Sequence, residues 1–475
     1  MFNDDEDDDD SASNEYILEL LERYQSSVAN GESAFFMEDE LSSLCDYFLE
    51  MQDLEQEEVV AEMGRRMYPE SNFFLIRQAN LLLDKDMLDE AEELMTQVRD
   101  TGEQEMEYYR VYGRINLLKG EWEKAESYLK TTLELSGNTD VLTMGILAGI
   151  YNTLGNYQEA LNMANQVLLE PTEDNEIRER AMLDMAMAYQ ELEDIDGAIN
   201  RYQKIIDEEP YNAHAWQYLG TFYNDTGLFE RALKAFDYSI TIDPSIALAH
   251  YHQGLTYLNL KQVDKAYESM CEGLKLNPTD PILLCGVGIC HEKKGEFPQA
   301  RKFFGETLSI EPDYADAWYG LGNCERNARQ FMQAADHFRK AADLDPSEEN
   351  YWFCLAEVCM ELRNLQEAES ALAKVLSLNP ASLGGRLLMA ELYFDTGEPI
   401  KAQVVLAEGE EMHAQNGLFF FLQAACYLNN GMRTDALQTL QTALDLEPGG
   451  FDAFLDAAPE ARRLKSFVSL INKYR

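Results

Sequence analysis

AHAWQYLGTFYNDTGLFERALKAFDYSITIDPSI, residues 213–246, is the stretch from which the rest of the chain can be laid out. Trp216, Leu219, Gly220 and Tyr223 recur at i, i+3, i+4 and i+7, which is one face of an α-helix. A second helical run starts near Phe229 and places Ala232, Leu233, Phe236 and Ile240 on one face. Between the two, Asp225-Thr226-Gly227 is a turn, with Gly227 free to take the left-handed conformation that ends a helix. The stretch is therefore a helical hairpin of 34 residues. Alone it would leave too much apolar surface in water to stay folded.

The hairpin recurs. Steps of 34 residues from Pro244 reach Pro210, Pro278, Pro312, Pro346 and Pro380, miss at Ala414, and reach Pro448. The small residue that lets the two helices approach is more regular still. Ala91, Ala125, Ala160, Ala198, Ala232, Ala266, Ala300, Ala334, Ala368, Ala402 and Ala436 all fall at one position of the repeat. Self-similarity at this period predicts a helical solenoid. The pattern resembles the tetratricopeptide repeat: Trp216, Leu219-Gly220, Tyr223, Ala232, Phe236 and Pro244 match its motif. Trp318-Tyr319-Gly320-Leu321-Gly322 and Trp352-Phe353-Cys354-Leu355-Ala356 repeat its opening. The resemblance implies an all-α, right-handed superhelix of helix-turn-helix repeats.

Composition bounds the possible roles. The chain has 87 acidic and 38 basic residues and a net charge of −49. Duplex nucleic acid and anionic membranes both need basic patches, so neither is an expected partner; basic or neutral protein segments are. An apolar content of 46% is ample for a core. No window reaches the 18 or so continuous apolar residues of a membrane span, and MFNDDEDDDD does not read as a signal peptide. The eight cysteines show no zinc-ribbon or disulfide-framework spacing, which agrees with a cytoplasmic address.

Along the chain, residues 1–13 read as a disordered acidic tail with a run of carboxylates at 4–10. Residues 14–37 read as an amphipathic helix covering the open end of the array. Residues 38–174 hold four repeats, the first degenerate, with Glu57 where alanine belongs. Residues 175–178 are a short insertion and the expected hinge. Residues 179–450 hold eight more repeats without a gap, and 451–475 read as a C-terminal capping helix. Its apolar stripe is Leu464, Phe467, Val468 and Ile471, beside Arg462, Arg463, Lys465, Lys473 and Arg475.

Catalytic and metal motifs fail one by one. His291-Glu292 begins like HExxH, but the second histidine is missing. Cys285, Cys290 and His291 sit on one first helix, and Cys290 shares its repeat position with Cys324 and Cys426, which points to packing. Gly286-Val287-Gly288 lies inside that helix and cannot cradle a phosphate. No phosphate loop or nucleophile elbow is present. The expectation is a non-enzyme without cofactor or metal.

In arrays of the resembled family, first helices line the concave face, and extended peptides lie along their second, fifth, ninth, twelfth and thirteenth positions. Carried onto this sequence, those positions include Arg110, Arg114 and Leu117; Leu183, Met187 and Gln190; and Gln217, Thr221 and Asn224. They continue with Tyr251, Leu255 and Leu258; Tyr319, Asn323 and Arg326; Phe353, Glu357 and Met360; and Leu387, Glu391 and Phe394. The chaperone-type carboxylate clamp of the family needs lysine at the fifth position, and none is there. Asn80 and Asn323 hold ninth positions, but their fifth-position companions are Ile76 and Tyr319. Arg110 with Arg114, one turn apart, is the single basic pair and a candidate carboxylate or phosphate site.

The resulting expectation is a non-catalytic scaffold that binds a protein segment with basic and apolar residues. A co-chaperone that holds basic or unfolded clients is the first alternative, and an enzyme with an unrecognised site the second. The acidic, repeat-only make-up also resembles uncharacterised repeat proteins of Bacteroidota.

Overall fold

The computed structural model describes residues 16–26, 35–51, 53–98, 106–172 and 174–474. The acidic run at 4–10 and parts of the 14–37 stretch lie outside them. Most of the described residues lie in helices arranged as hairpin pairs, with no strand among them. Two compact units divide between Asp207 and Glu208.

Between residues 213 and 378 the repeat is regular, with a 13-residue first helix and a 14-residue second. Ala213–Asp225 pairs with Phe229–Ile242, Pro281–Lys293 with Phe297–Ile310, and Ala315–Asn327 with Phe331–Leu344. One backbone device ends the first helices. Gly227 has φ 74°, the Leu228 N–H donates to the Tyr223 carbonyl at 2.8 Å, and the Gly227 N–H donates to Asn224 at 2.9 Å. That is the six-to-one and five-to-two bonding of a left-handed helix stop. Lys261, Arg329 and Arg363 take the same left-handed conformation without being glycine.

The helices of a pair touch through small residues. All eleven alanines named above have no solvent exposure. Opposite them, a Cβ added to Gly220 would sit 2.7 Å from the Phe236 ring, and one on Gly322 would sit 2.5 Å from Phe338. A third contact staples the loop between repeats: Trp216, Trp318 and Trp352 each donate their indole N–H to the proline carbonyl six residues earlier, at 3.0, 2.8 and 3.1 Å.

Departures from the period have local causes. The four residues expected to be a hinge are the first turn of a 17-residue helix, Asn175–Glu191, capped by the Asp174 carboxylate. The extra residues lengthen a helix and make no linker there. Where tryptophan stands in other repeats, Arg386 bonds both Pro380 and Val405 carbonyls, and the helix Pro399–Ala407 stops short. In the degenerate first repeat Glu57 is still buried, held by Arg77 with Nε to Oε1 at 3.0 Å.

The ends are closed by apolar contacts. The helix over 16–26 buries Leu20, Leu21 and Tyr24 with Leu41 and Phe48. The expected single C-terminal helix is instead three short pieces, Phe451–Ala457, a 3-10 turn Pro459–Arg463, and Lys465–Ile471. Phe454, Phe467 and Ile471 join the core of Ala436 and Leu440, whereas Val468 faces solvent.

Candidate peptide groove

The two compact units are taken separately, beginning with the second. Gly322 and Cys324 pack inward from the helix Ala315–Asn327, and Tyr319 and Arg326 remain partly accessible. Asn323, on the same helix, is 8% exposed and ties three neighbouring first helices together. Its amide donates to Glu292 Oε1 at 3.4 Å, its carbonyl accepts from Arg326 Nη2 at 3.1 Å, and Arg326 Nη1 reaches Glu357 Oε2 at 2.7 Å. A cavity of about 530 Å³ opens beside this chain, lined by Glu292, Asn323, Arg326, Asn327, Glu361 and Arg329 with Phe297 and Phe331. Burial pushes the Glu292 carboxyl above its usual range, although Lys293, Asn323 and Arg326 pull the other way. No cation is in ion-pair reach of Glu292 among the described residues.

The other expected groove residues of this unit divide into accessible and committed ones. Tyr251 and Leu255 on the helix Ala247–Asn259, Tyr319 on Ala315–Asn327 and Phe353 on Glu349–Glu361 are half-buried. Burial raises the Tyr251 and Tyr319 hydroxyls, and Tyr319 also lies 3.7 Å from Cys354 Sγ. Thr221 bonds back to the Gln217 carbonyl, and Asn224 accepts from Thr256 and Asn259, both at 3.1 Å. Gln217 is 3% exposed, so it belongs to the packing rather than the groove wall.

In the first unit the basic pair is already neutralised. Arg110 pairs with Glu107 and with Asp140, the latter at 2.8 Å; Arg114 pairs with Asp84 at 2.7 Å and donates to the Asn80 carbonyl oxygen. Both guanidiniums of the candidate carboxylate or phosphate site are thus engaged by carboxylates of the chain itself. Met187 is 44% exposed on the helix Asn175–Glu191.

The zinc-motif reading of His291-Glu292 does not point to Glu292 as a cavity-lining residue. Its repeat position, the twelfth of a first helix, was the available signal. Cys285, Cys290 and His291 are buried, and no cluster of metal-ligating side chains occurs among the described residues.

Comparison with known families matches the repeat itself. Tetratricopeptide repeat profiles match residues 76–138 and 183–245, residues 247–280, and residues 360–426. The chain is an array of tetratricopeptide repeats. A profile described as anaphase-promoting complex, cyclosome, subunit 3 matches residues 293–375. Proteins built from these repeats generally mediate protein–protein interaction and assembly. No curated protein matches the chain.

Solved structures similar to this tetratricopeptide array include the APC/C hetero-tetramer Cut9-Hcn1, at 13% identity over 92% of this chain and 95% of that one, TM-score 0.47. Human IFIT1 dimer with PPP-AAAA is similar at 17% identity over 75% and 90%, TM-score 0.49. YrrB, a TPR protein with an unusual peptide-binding site, is similar at 22% identity over 42% and 100%, TM-score 0.37.

Proposed function

We propose that the chain is a non-catalytic scaffold that binds an extended protein segment along first helices of residues 208–475, with a cationic side chain seated at Glu292. One observation carries this reading: a largely buried carboxylate lines an open cavity, and its only bonded partner among the described residues is a neutral amide at 3.4 Å. Of the two lining cations, Arg326 is engaged by Glu357, and Arg329 has no ion pair with Glu292. Burying a charge without a counter-ion is costly, and a ligand ammonium or guanidinium would offset that cost. Phe297 and Phe331 offer faces to the stem of a lysine or arginine. Tyr251, Leu255, Tyr319 and Phe353 supply apolar grip for the residues on either side.

A charge of −49 favours such a ligand at long range and gives its association rate a salt dependence. No described helix is long and apolar enough to cross a membrane; a cytoplasmic scaffold is the proposed setting.

The test begins with affinity capture from the native cell and cross-linking mass spectrometry. Binding of the captured segment is then measured against Glu292→Gln and against Tyr319→Ala with Phe353→Ala. Each variant is expected to weaken binding about tenfold with the helical signal unchanged. Unaltered binding, with cross-links confined to second helices, would replace the groove with a lateral surface.

A further inference from the structure

The C-terminal cap reverses the charge of the chain. Residues 459–475 carry five basic residues and one acidic residue, Glu460, in a protein of net charge −49. Phe467 and Ile471 are buried against the last repeat, and Tyr474 is tied to Gln441 and Asp445. That anchoring turns the basic side chains outward. Arg462, Arg463, Lys465, Ser469, Asn472 and Lys473 line a concavity of about 620 Å³, with half-exposed Val468 in its wall.

Several cations of the repeats are held by a neighbouring repeat. Arg326, Arg339 and Arg363 each pair with a carboxylate of the following repeat. In the cap, Arg462 pairs with Asp456 at 3.0 Å, but Arg463, Lys465 and Lys473 have no carboxylate in reach among the described residues. The concavity therefore presents uncompensated positive charge with hydroxyl and amide donors beside it. It suits a run of carboxylates in an extended segment, which several exposed cations can engage at once.

Such a run is present in the same sequence: residues 4–10 read DDEDDDD. We propose that the cap concavity docks residues 4–10 of a second copy of the chain. Elsewhere two acidic chains repel, but that repulsion is screened beyond about 8 Å at physiological ionic strength. The seam where unlike charges meet is thus favoured over other approaches. A patch on one copy meeting a different patch on the next is heterologous, so association is head-to-tail and grows with concentration.

The test uses the full chain in sedimentation velocity at low and at physiological salt. Two variants accompany it: one with Arg463→Glu, Lys465→Glu and Lys473→Glu, and one with the seven acidic residues at 4–10 replaced by serine. All of these positions are exposed or outside the described residues, and thermal melting checks that the fold is unaltered. The wild-type chain is expected to self-associate, more weakly as salt rises. Each variant alone should be monomeric, with its apparent association constant lowered about tenfold or more. Mixing the variants should restore a complex, because one keeps the cap and the other the acidic run.

A labelled peptide of residues 1–13 should bind the serine variant and not the cap variant. A monomeric wild type at every concentration overturns the proposal, as does failure of the mixture to complex. Peptide binding by the serine variant beside a monomeric wild type would mean that the run occupies the cap of its own chain. Co-sedimentation with anionic vesicles without self-association would assign the cap to a membrane surface. Either result also overturns docking of a second copy.

Discussion

Arg386 Nη1 donates to the Val405 carbonyl at 2.8 Å, and the helix that carries Val405 ends two residues later at Ala407. The same guanidinium reaches the Pro380 carbonyl at 2.8 Å, the bond that Trp352 makes to Pro346 one repeat earlier. One side chain thus replaces the staple and caps a shortened helix. A charged head with several fixed donors can serve two carbonyls where an indole serves one.

Arg386→Leu should leave both carbonyls without that donor in a buried place. The expected loss is about 1–3 kcal/mol, read as a lower denaturation midpoint. Arg386→Trp should recover part of it by restoring the bond to Pro380. Equal loss in both variants would mean that the Val405 bond, not the staple, holds this repeat.

Ala300 has no solvent exposure where the second helix Phe297–Ile310 crosses its neighbour. Ala300→Leu should cost about 1–3 kcal/mol by overpacking. Chemical denaturation of the full chain checks it, and a change within error of zero would contradict the repeat register.

Phe467 is fully buried and stacks on Phe454 with centroids 5.7 Å apart. Phe467→Ala should cost about 3–5 kcal/mol and loosen the last repeat before the others. Hydrogen exchange should show faster exchange in the helix Arg433–Leu446, which the cap covers, while the helix Ala247–Asn259 stays protected. Uniform protection in both helices would show that the cap does not hold the end closed.

Glu292 titrates above the usual carboxylate range because it is buried. The folded chain therefore holds this proton at a pH where the unfolded chain has released it. Its contribution to stability is fully present below the unfolded pKa and is lost as pH rises through the folded one. Glu292→Gln should accordingly raise the melting temperature at neutral pH, and the gain should shrink on acidification. A cationic ligand needs the ionised form, so its affinity for the wild type should fall as pH drops through the raised pKa. Melting curves and ligand titrations at neutral and acid pH check both signs.

His252 shows the opposite linkage. Burial lowers its pKa to about 4, and its ring lies 6.1 Å from Phe236 in a stacked arrangement. The unfolded chain takes up this proton first, so stability should fall as pH drops from the ordinary histidine range toward about 4. His252→Gln should reduce that acid sensitivity, measured as the slope of melting temperature against pH.

The repeat was legible because its signals are local. Ala232 and its equivalents recur since a helix crossing leaves room for a methyl group and little more, and Gly227 recurs since a left-handed stop favours a residue without a Cβ. Residues 175–178 were not legible: four extra residues can form a linker or one more helical turn, and the Asp174 cap and packing decide for the turn. The same limit applied to the cap, where Pro459 to Ile471 forms a 3-10 turn and a short helix so that Phe467 and Ile471 can both meet the last repeat.

Sequence by itself determined that the chain is a row of helical hairpins, because spacing along one chain dictates which residues share a helix face. The resemblance to the repeat family added which first-helix positions to expect along a groove. Only tertiary structure decided which of those positions are open. Gln217, Arg110 and Arg114 have types that suit a ligand, yet their surroundings already engage or bury them. Glu292 looks ordinary in the sequence and is set apart only by the distances around it. Whether a polar side chain is satisfied depends on atoms some thirty residues away, and the identity of a residue does not record that distance.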